Sequence, residues 1–210
     1  MTIETWLAFV VAAWLISLSP GAGVISCMAA GVRFGLARGM WNIFGLIVGI
    51  MFVLAIVTTG LGAILAASTI AFTALKWLGV AYLIWLGIAQ WRAPALAIDA
   101  EATGRSLEGS ARQLFLRGFL VNATNPKGIV FMLAVLPQFI DPGQPQLLQY
   151  LICGATLVCT DLVAMTAYTG FASRILRLLR QPGQIRWMNR TFGGLLVGMG
   201  ALLATFKRAA

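Results

Sequence analysis

One carboxylate lies in the middle of an apolar run. Asp161 stands between Leu157-Val158-Cys159-Thr160 and Leu162-Val163-Ala164-Met165. At such a depth in a membrane an ionised Asp costs roughly 2.5–3.5 kcal/mol to insert. Glu4, Asp99, Glu101, Glu108 and Asp141 all fall at the ends of apolar runs or between them. A lone buried carboxylate can take up and release a proton, pair with the cationic group of a ligand, or form a structural ion pair. The cation available for such a pair is Lys127, directly after Pro126. A lysine in the first turn of a helix adds to the positive end of the dipole and favours an anion there. Its other role would be to neutralise Asp161. Asn122 and Asn125 share a helical face by their three-residue spacing. Either can bond a ligand or satisfy interrupted backbone, and for Asn125 capping is the stronger reading. Thr124, Asn42 and Gln138 are weaker candidates, because a single polar residue in an apolar helix is often a helix-to-helix hydrogen bond.

No other chemistry is on offer. There is no histidine, and Cys27, Cys153 and Cys159 sit in or beside apolar runs without metal-ligand spacing. With no Ser/His/Asp set, no phosphate loop and no metal cluster, neither an enzyme nor a cofactor or metal is expected.

The elements that must position these residues are membrane spans. The chain is 60% hydrophobic and only 10% charged, against about 25% charged in soluble domains. Six apolar stretches approach the ~20 residues a span needs: roughly Trp6–Met28, Met40–Ala67, Ile70–Trp91, Leu114–Ile140, Leu147–Phe171 and the shorter Thr191–Phe206. Met1-Thr2-Ile3-Glu4 lacks a basic n-region, so the first span is expected to stay in the mature protein. The net charge of +9 does not indicate nucleic acid, because 11 of the 15 basic residues lie in alternate loops. By the positive-inside rule those loops are cytoplasmic and both termini face the periplasm. Their arginines are read as topology signals and lipid headgroup contacts.

Two of the spans contain matching interruptions, Ser19-Pro20-Gly21-Ala22-Gly23 and Asn125-Pro126-Lys127-Gly128. Ser or Asn followed by Pro reads as an N-cap with Pro at N1. Each span therefore becomes two half-helices with free backbone groups between them. Irregular backbone at membrane depth must be buried in protein or line a cavity, and paired breaks in two halves point to a transporter's substrate site. Three spans per half require the second half to be inverted. The expected fold is all-α integral membrane: six transmembrane helices as two inverted three-helix repeats, helices 1 and 4 broken at the proline motifs. It forms one transporter domain, 1–210, with halves 1–92 and 114–210 and a cytoplasmic linker 93–113. Small residues at four-residue spacing (Gly45 and Gly49, Gly194 and Gly198) let helices approach closely. Packing within one subunit is the plainer reading, and a homo-oligomer through the last span the sharper one.

The motifs Ser17-Leu18-Ser19-Pro20-Gly21-Ala22-Gly23, Asn125-Pro126-Lys127-Gly128-Ile129-Val130-Phe131 and Leu136-Pro137-Gln138-Phe139-Ile140 resemble those of the RhtB/LysE family of amino-acid exporters. The resemblance covers nearly the whole chain. The stretch from Leu75 to Gly87, with Pro145-Gln146-Leu147-Leu148-Gln149-Tyr150 in support, narrows it to members that export homoserine and its lactone. It implies a multi-pass exporter of the bacterial inner membrane, surrounded by lipid, that takes a small amino-acid substrate and a proton by antiport. Export of another small amino acid, such as threonine or leucine, is the alternative. Many relatives have a second proline in the first motif, where this chain has Ala22, and an acidic residue in the second span, where it has none. The substrate-binding set expected here is Ser19, Pro20, Gly21, Gly23, Asn122, Asn125, Pro126, Lys127 and Asp161. Coupling to the proton falls to Asp161 alone. The carboxylate of homoserine suits the half-helix N-termini and Lys127. The ammonium, which homoserine and its lactone share, suits Asp161.

Overall fold

In a computed structural model of the chain, residues 1–67, 69–94, 109–172, 174–175 and 182–205 are described. The described residues are helical, with no strand among them. Most of the expected linker 93–113 lies outside them, as do Arg105, Arg177, Arg180, Lys207 and Arg208.

Helix α1 spans Ile3–Leu18 and is capped by the Thr2 side chain. Helix α2 runs Ala22–Ala67, α3 Thr69–Arg92, α4 Ala111–Ala123 and α5 Pro126–Val130. A π turn over Phe131–Val135 and a 3-10 turn over Leu136–Phe139 continue α5. Helix α6 spans Gln146–Gly170 and α7 Pro182–Thr205. By length and composition α2, over Ala22–Gly60, and α6 are each able to cross a membrane, and α4 with the α5 segment is a third candidate, bent by 48°.

The boundaries follow the sequence pattern in one place and depart from it in another. Arg33 and Arg38 flank the point where two helices meet across a kink within α2. The break is a single residue, Gly35, at φ 72° and ψ −179°. A side chain is strained at that φ, and glycine adopts it freely. Helix α7 begins well before Thr191, so Arg186 and Arg190 are on the helix rather than in a loop. At the start of α4 the fit is closer. Ser110 and Gln113 form a reciprocal capping box, which satisfies two end groups of a helix that begins three residues before the apolar run.

Backbone-to-backbone seams hold the helices together. A Cβ on Gly118 would collide with the Asn42 carbonyl, one on Gly45 with the Phe115 carbonyl, and one on Gly49 would lie 2.6 Å from the Phe119 oxygen. Helices α2 and α4 therefore touch through bare backbone. Helices α3 and α7 do so reciprocally: a Cβ on Gly87 would lie 2.7 Å from the Gly193 oxygen, and one on Gly193 2.6 Å from the Gly87 oxygen. Gly194 packs on Trp91 and Gly200 on Ile84, whereas Gly198 faces open space. Most of the small residues of the last helix are thus used inside the subunit.

Two apolar clusters fill the interior. One joins Phe9, Ala13, Ile50, Leu83, Phe131, Leu136, Phe139 and Leu157, with the Phe9 and Phe139 rings edge to face at 5.3 Å. The other joins Val24, Cys27, Met28, Ile43, Leu46 and Met165. Cys27 and Cys153 are buried and unpaired, and Cys159 is exposed. On the outside, Trp41, Phe44, Val48, Phe52 and Ile56 form an exposed apolar stripe along α2. Such a stripe suits contact with lipid.

Candidate functional site

Both proline motifs interrupt the backbone where the two apolar clusters meet. Helix α1 stops at Leu18, and Ser19 turns extended at φ −66°, ψ 126°. Helix α4 stops at Ala123, and Asn125 is extended at φ −71°, ψ 110°. The second motif behaves as its residue types dictate. Pro126 starts α5, and the Lys127 N–H donates to Asn125 Oδ1 at 3.1 Å. The first motif differs. Ser19 closes α1, its N–H donating to Leu15 O at 3.0 Å, and α2 begins only at Ala22.

Breaking α1 frees the carbonyls of its last turn, and the rest of the fold answers them. Tyr168 Oη donates to Leu18 O at 2.8 Å. Lys127 Nζ donates to Ser19 O at 2.6 Å. The lysine of the second motif is therefore tied to the backbone of the first. Its side chain passes over Gly21, where a Cβ would lie 3.6 Å from Nζ. Asp161, on α6, is 6% exposed and accepts from Ser17 Oγ at 2.5 Å. The Ser17 hydroxyl also lies 3.3 Å from Thr160 Oγ1. Ser17 thereby fixes one oxygen of the Asp161 carboxyl group. Lys127 and Asp161 line the same cavity without a direct ion pair, each holding its own neutral partner. Asn122 Nδ2 donates to Leu46 O at 2.7 Å and ties α4 to α2.

These groups line one cavity of about 40 Å³. Ser17, Ser19, Asn122, Asn125, Lys127 and Asp161 supply its polar side chains, Gly21, Gly23 and Gly128 its bare backbone, and Ile16, Val24, Leu46, Ile50 and Met165 its apolar wall. It has room for a few ordered waters. Of the nine residues expected at a binding site, Ser19, Gly21, Gly23, Asn122, Asn125, Lys127 and Asp161 meet there, while Pro20 and Pro126 shape the backbone without lining it. Ser17 was not expected. Its signal was present in the sequence, because a carboxylate buried mid-helix needs a donor and Ser17 lies one turn before a break. The apolar wall had no such signal. No cluster of three His, Cys, Asp or Glu exists among the described residues.

A family model described as LysE type translocator matches residues 14–206. The chain belongs to this family. The translocator is 46% identical over 209 residues to the "Homoserine/homoserine lactone efflux protein" of Salmonella typhimurium (strain LT2), covering 100% of both chains. It is 41% identical over 207 residues to an "Uncharacterized membrane protein" of Vibrio cholerae, covering 99% of this chain and 100% of that one. It is also 27% identical over 202 residues to the "Leucine efflux protein" of Enterobacter sp. (strain 638), covering 94% and 93%. No solved structure matches the chain. Membership makes the protein a transporter rather than an enzyme.

Proposed function

We propose that this LysE-family amino-acid efflux transporter exports homoserine and homoserine lactone across the bacterial inner membrane by proton antiport. One observation carries the substrate: full-length identity of 46% to a relative with that name. The cavity supports it. A zwitterion needs one cation and one anion set apart by neutral groups. Lys127 and Asp161 supply them on a single small cavity, with Lys127 available to a carboxylate and Asp161 to an ammonium or a proton. At about 40 Å³ the cavity must widen to take an amino acid, as alternating access requires. The weaker reading, export of leucine, threonine or another neutral amino acid, draws on the 27% identical leucine efflux relative and on the apolar wall.

In this reading the chain crosses six times. Helix α1 and the part of α2 before Gly35 form the first span, the rest of α2 the second, and α3, α4 with α5, α6 and α7 the others. The inverted repeat is supported by the seam of α3 and α7. A twofold axis brings equivalent residues of the two halves together, and Gly87 and Gly193 meet in this way. The interval from Gly87 to Gly193 equals that from Pro20 to Pro126. Both termini are periplasmic and the arginine-rich loops cytoplasmic.

The test is transport of labelled homoserine into inside-out vesicles, with and without an uncoupler. Uptake that needs the protein and collapses with the uncoupler is expected. Expressing cells should also tolerate added homoserine better than empty cells and hold less of it. Equal tolerance and equal internal levels, with the protein present in the membrane, would overturn the reading.

A further inference from the structure

Homoserine and its lactone share an ammonium; the lactone has lost both the carboxylate and the side-chain hydroxyl, which are joined in its ester. Homoserine ends in a hydroxyl, which donates one hydrogen bond. The lactone has only acceptors there. Lys127 is placed to read the carboxylate, and reading the hydroxyl as well needs a group that accepts and cannot donate, placed away from the charges. Asn125 Oδ1 is engaged by the Lys127 N–H, and Lys127 only donates. The Ser17 hydroxyl donates to Asp161 and lies beside that charge, and the Ser19 hydroxyl can donate or accept, so it adapts to either ligand. Asp161 is the partner for the ammonium. That leaves the side-chain oxygen of Asn122.

The orientation of this amide follows from its contact. Nδ2 lies 2.7 Å from the Leu46 carbonyl. The reverse assignment would set two oxygens at that distance, so Nδ2 is the donor and Oδ1 points the other way. Oδ1 ends 4.0 Å from the Cβ position of Gly128, on a cavity both residues line. It has no donor among the described residues. We infer that Asn122 Oδ1 accepts the substrate's side-chain hydroxyl, and that Asn122 thereby adds to the preference for homoserine over its lactone. Helix α2 is part of the device, because the Leu46 carbonyl holds the amide so that it presents its oxygen. Gly128 keeps the approach open.

The inference rests on the proposed substrate, and the experiment separates the two. Purified protein in liposomes is given labelled homoserine, homoserine lactone, 2-aminobutyrate (hydroxyl replaced by hydrogen) and O-methylhomoserine (oxygen kept, donor removed). A neutral hydrogen bond contributes about 0.5–1.5 kcal/mol, so the wild type should favour homoserine over both donor-less amino acids by roughly two- to tenfold in kcat/KM. In Asn122→Leu that preference should vanish, and the ratio of homoserine to lactone transport should fall by a similar factor. O-methylhomoserine carried by the wild type as well as homoserine would overturn the inference without any variant. So would a preference that survives in Asn122→Leu, or an equal fall for all four compounds, which is what loss of the Leu46 tie alone would give. A wild type that rejects homoserine and lactone alike and carries leucine instead would bring down the substrate reading, and the inference with it.

Discussion

Replacing Asp161 with Asn separates coupling from folding. The amide keeps the shape of the carboxylate, and its Oδ1 can still accept from Ser17 Oγ, now 2.5 Å from the carboxylate. What is lost is the difference between a charge-assisted and a neutral hydrogen bond, about 1 kcal/mol. Relief from burying a charge at a site 6% exposed offsets part of it. The protein should insert and melt within a few degrees of the wild type. Transport should change far more. Exchanging one proton for one neutral zwitterion moves one charge, and 100 mV across the membrane is worth about 2.3 kcal/mol per charge. Each coupled proton then sustains roughly a 40-fold substrate gradient per 100 mV. Inside-out vesicles with an interior-positive potential should accumulate homoserine to that order with wild-type protein, and only to equality with Asp161→Asn. Uncoupler-sensitive accumulation by the Asp161→Asn protein would refute the coupling role and leave Asp161 a structural residue.

Lys127→Met alone should melt lower than Lys127→Met combined with Asp161→Asn, by about 1–3 kcal/mol, because the single change strands a buried carboxylate; thermal unfolding in detergent decides it, and equal melting would show that the two charges are not coupled. Gly118→Val should separate α2 from α4 and cost several kcal/mol, because its Cβ meets the Asn42 carbonyl, a backbone atom that cannot step aside. Gly198→Ala, facing open space, should stay within about 0.5 kcal/mol, and the same melting measurement compares them. In a cysteine-free background, a cysteine at Gln184 should react with an impermeant thiol reagent only from the cytoplasmic side, and one at Gly143 only from the periplasmic side; the reverse pattern would invert the topology.

The parts of this architecture legible in the sequence are those where polarity is costly. Asn125-Pro126 marked its own helix start because each residue type has one favourable place there, and Asp161 stood out because nothing around it is polar. Ser19-Pro20 was half legible: the break is real, but the Lys127 ammonium at its carbonyl is a tertiary contact that local pattern does not encode. Arg33 and Arg38 flank the break at Gly35, so their charge located the boundary between two apolar runs, but not that a single residue makes it. The wall formed by Ile16, Val24, Leu46, Ile50 and Met165 was invisible because apolar residues in apolar spans look alike whether they face a cavity, a neighbour or lipid. The carbonyl of Leu46, which fixes the Asn122 amide, is backbone and has no sequence signature at all.

Gly21 and Lys127 each follow the proline of their motif by one residue, and the ammonium ends 3.6 Å from where a Gly21 side chain would begin. One position can hold a long cation because the other is bare. A lysine at position 21 as well would bring a second ammonium close to the first; at about 4 Å their repulsion is roughly 4 kcal/mol near a protein surface. A pair of separate, identical subunits would be caught in that conflict, since neither copy could differ from the other. A single chain that carries both motifs is free of the constraint, because one motif can be bare where the other is charged. An uneven distribution of charge between the two motifs is open to one chain that carries both, and closed to a pair of identical subunits.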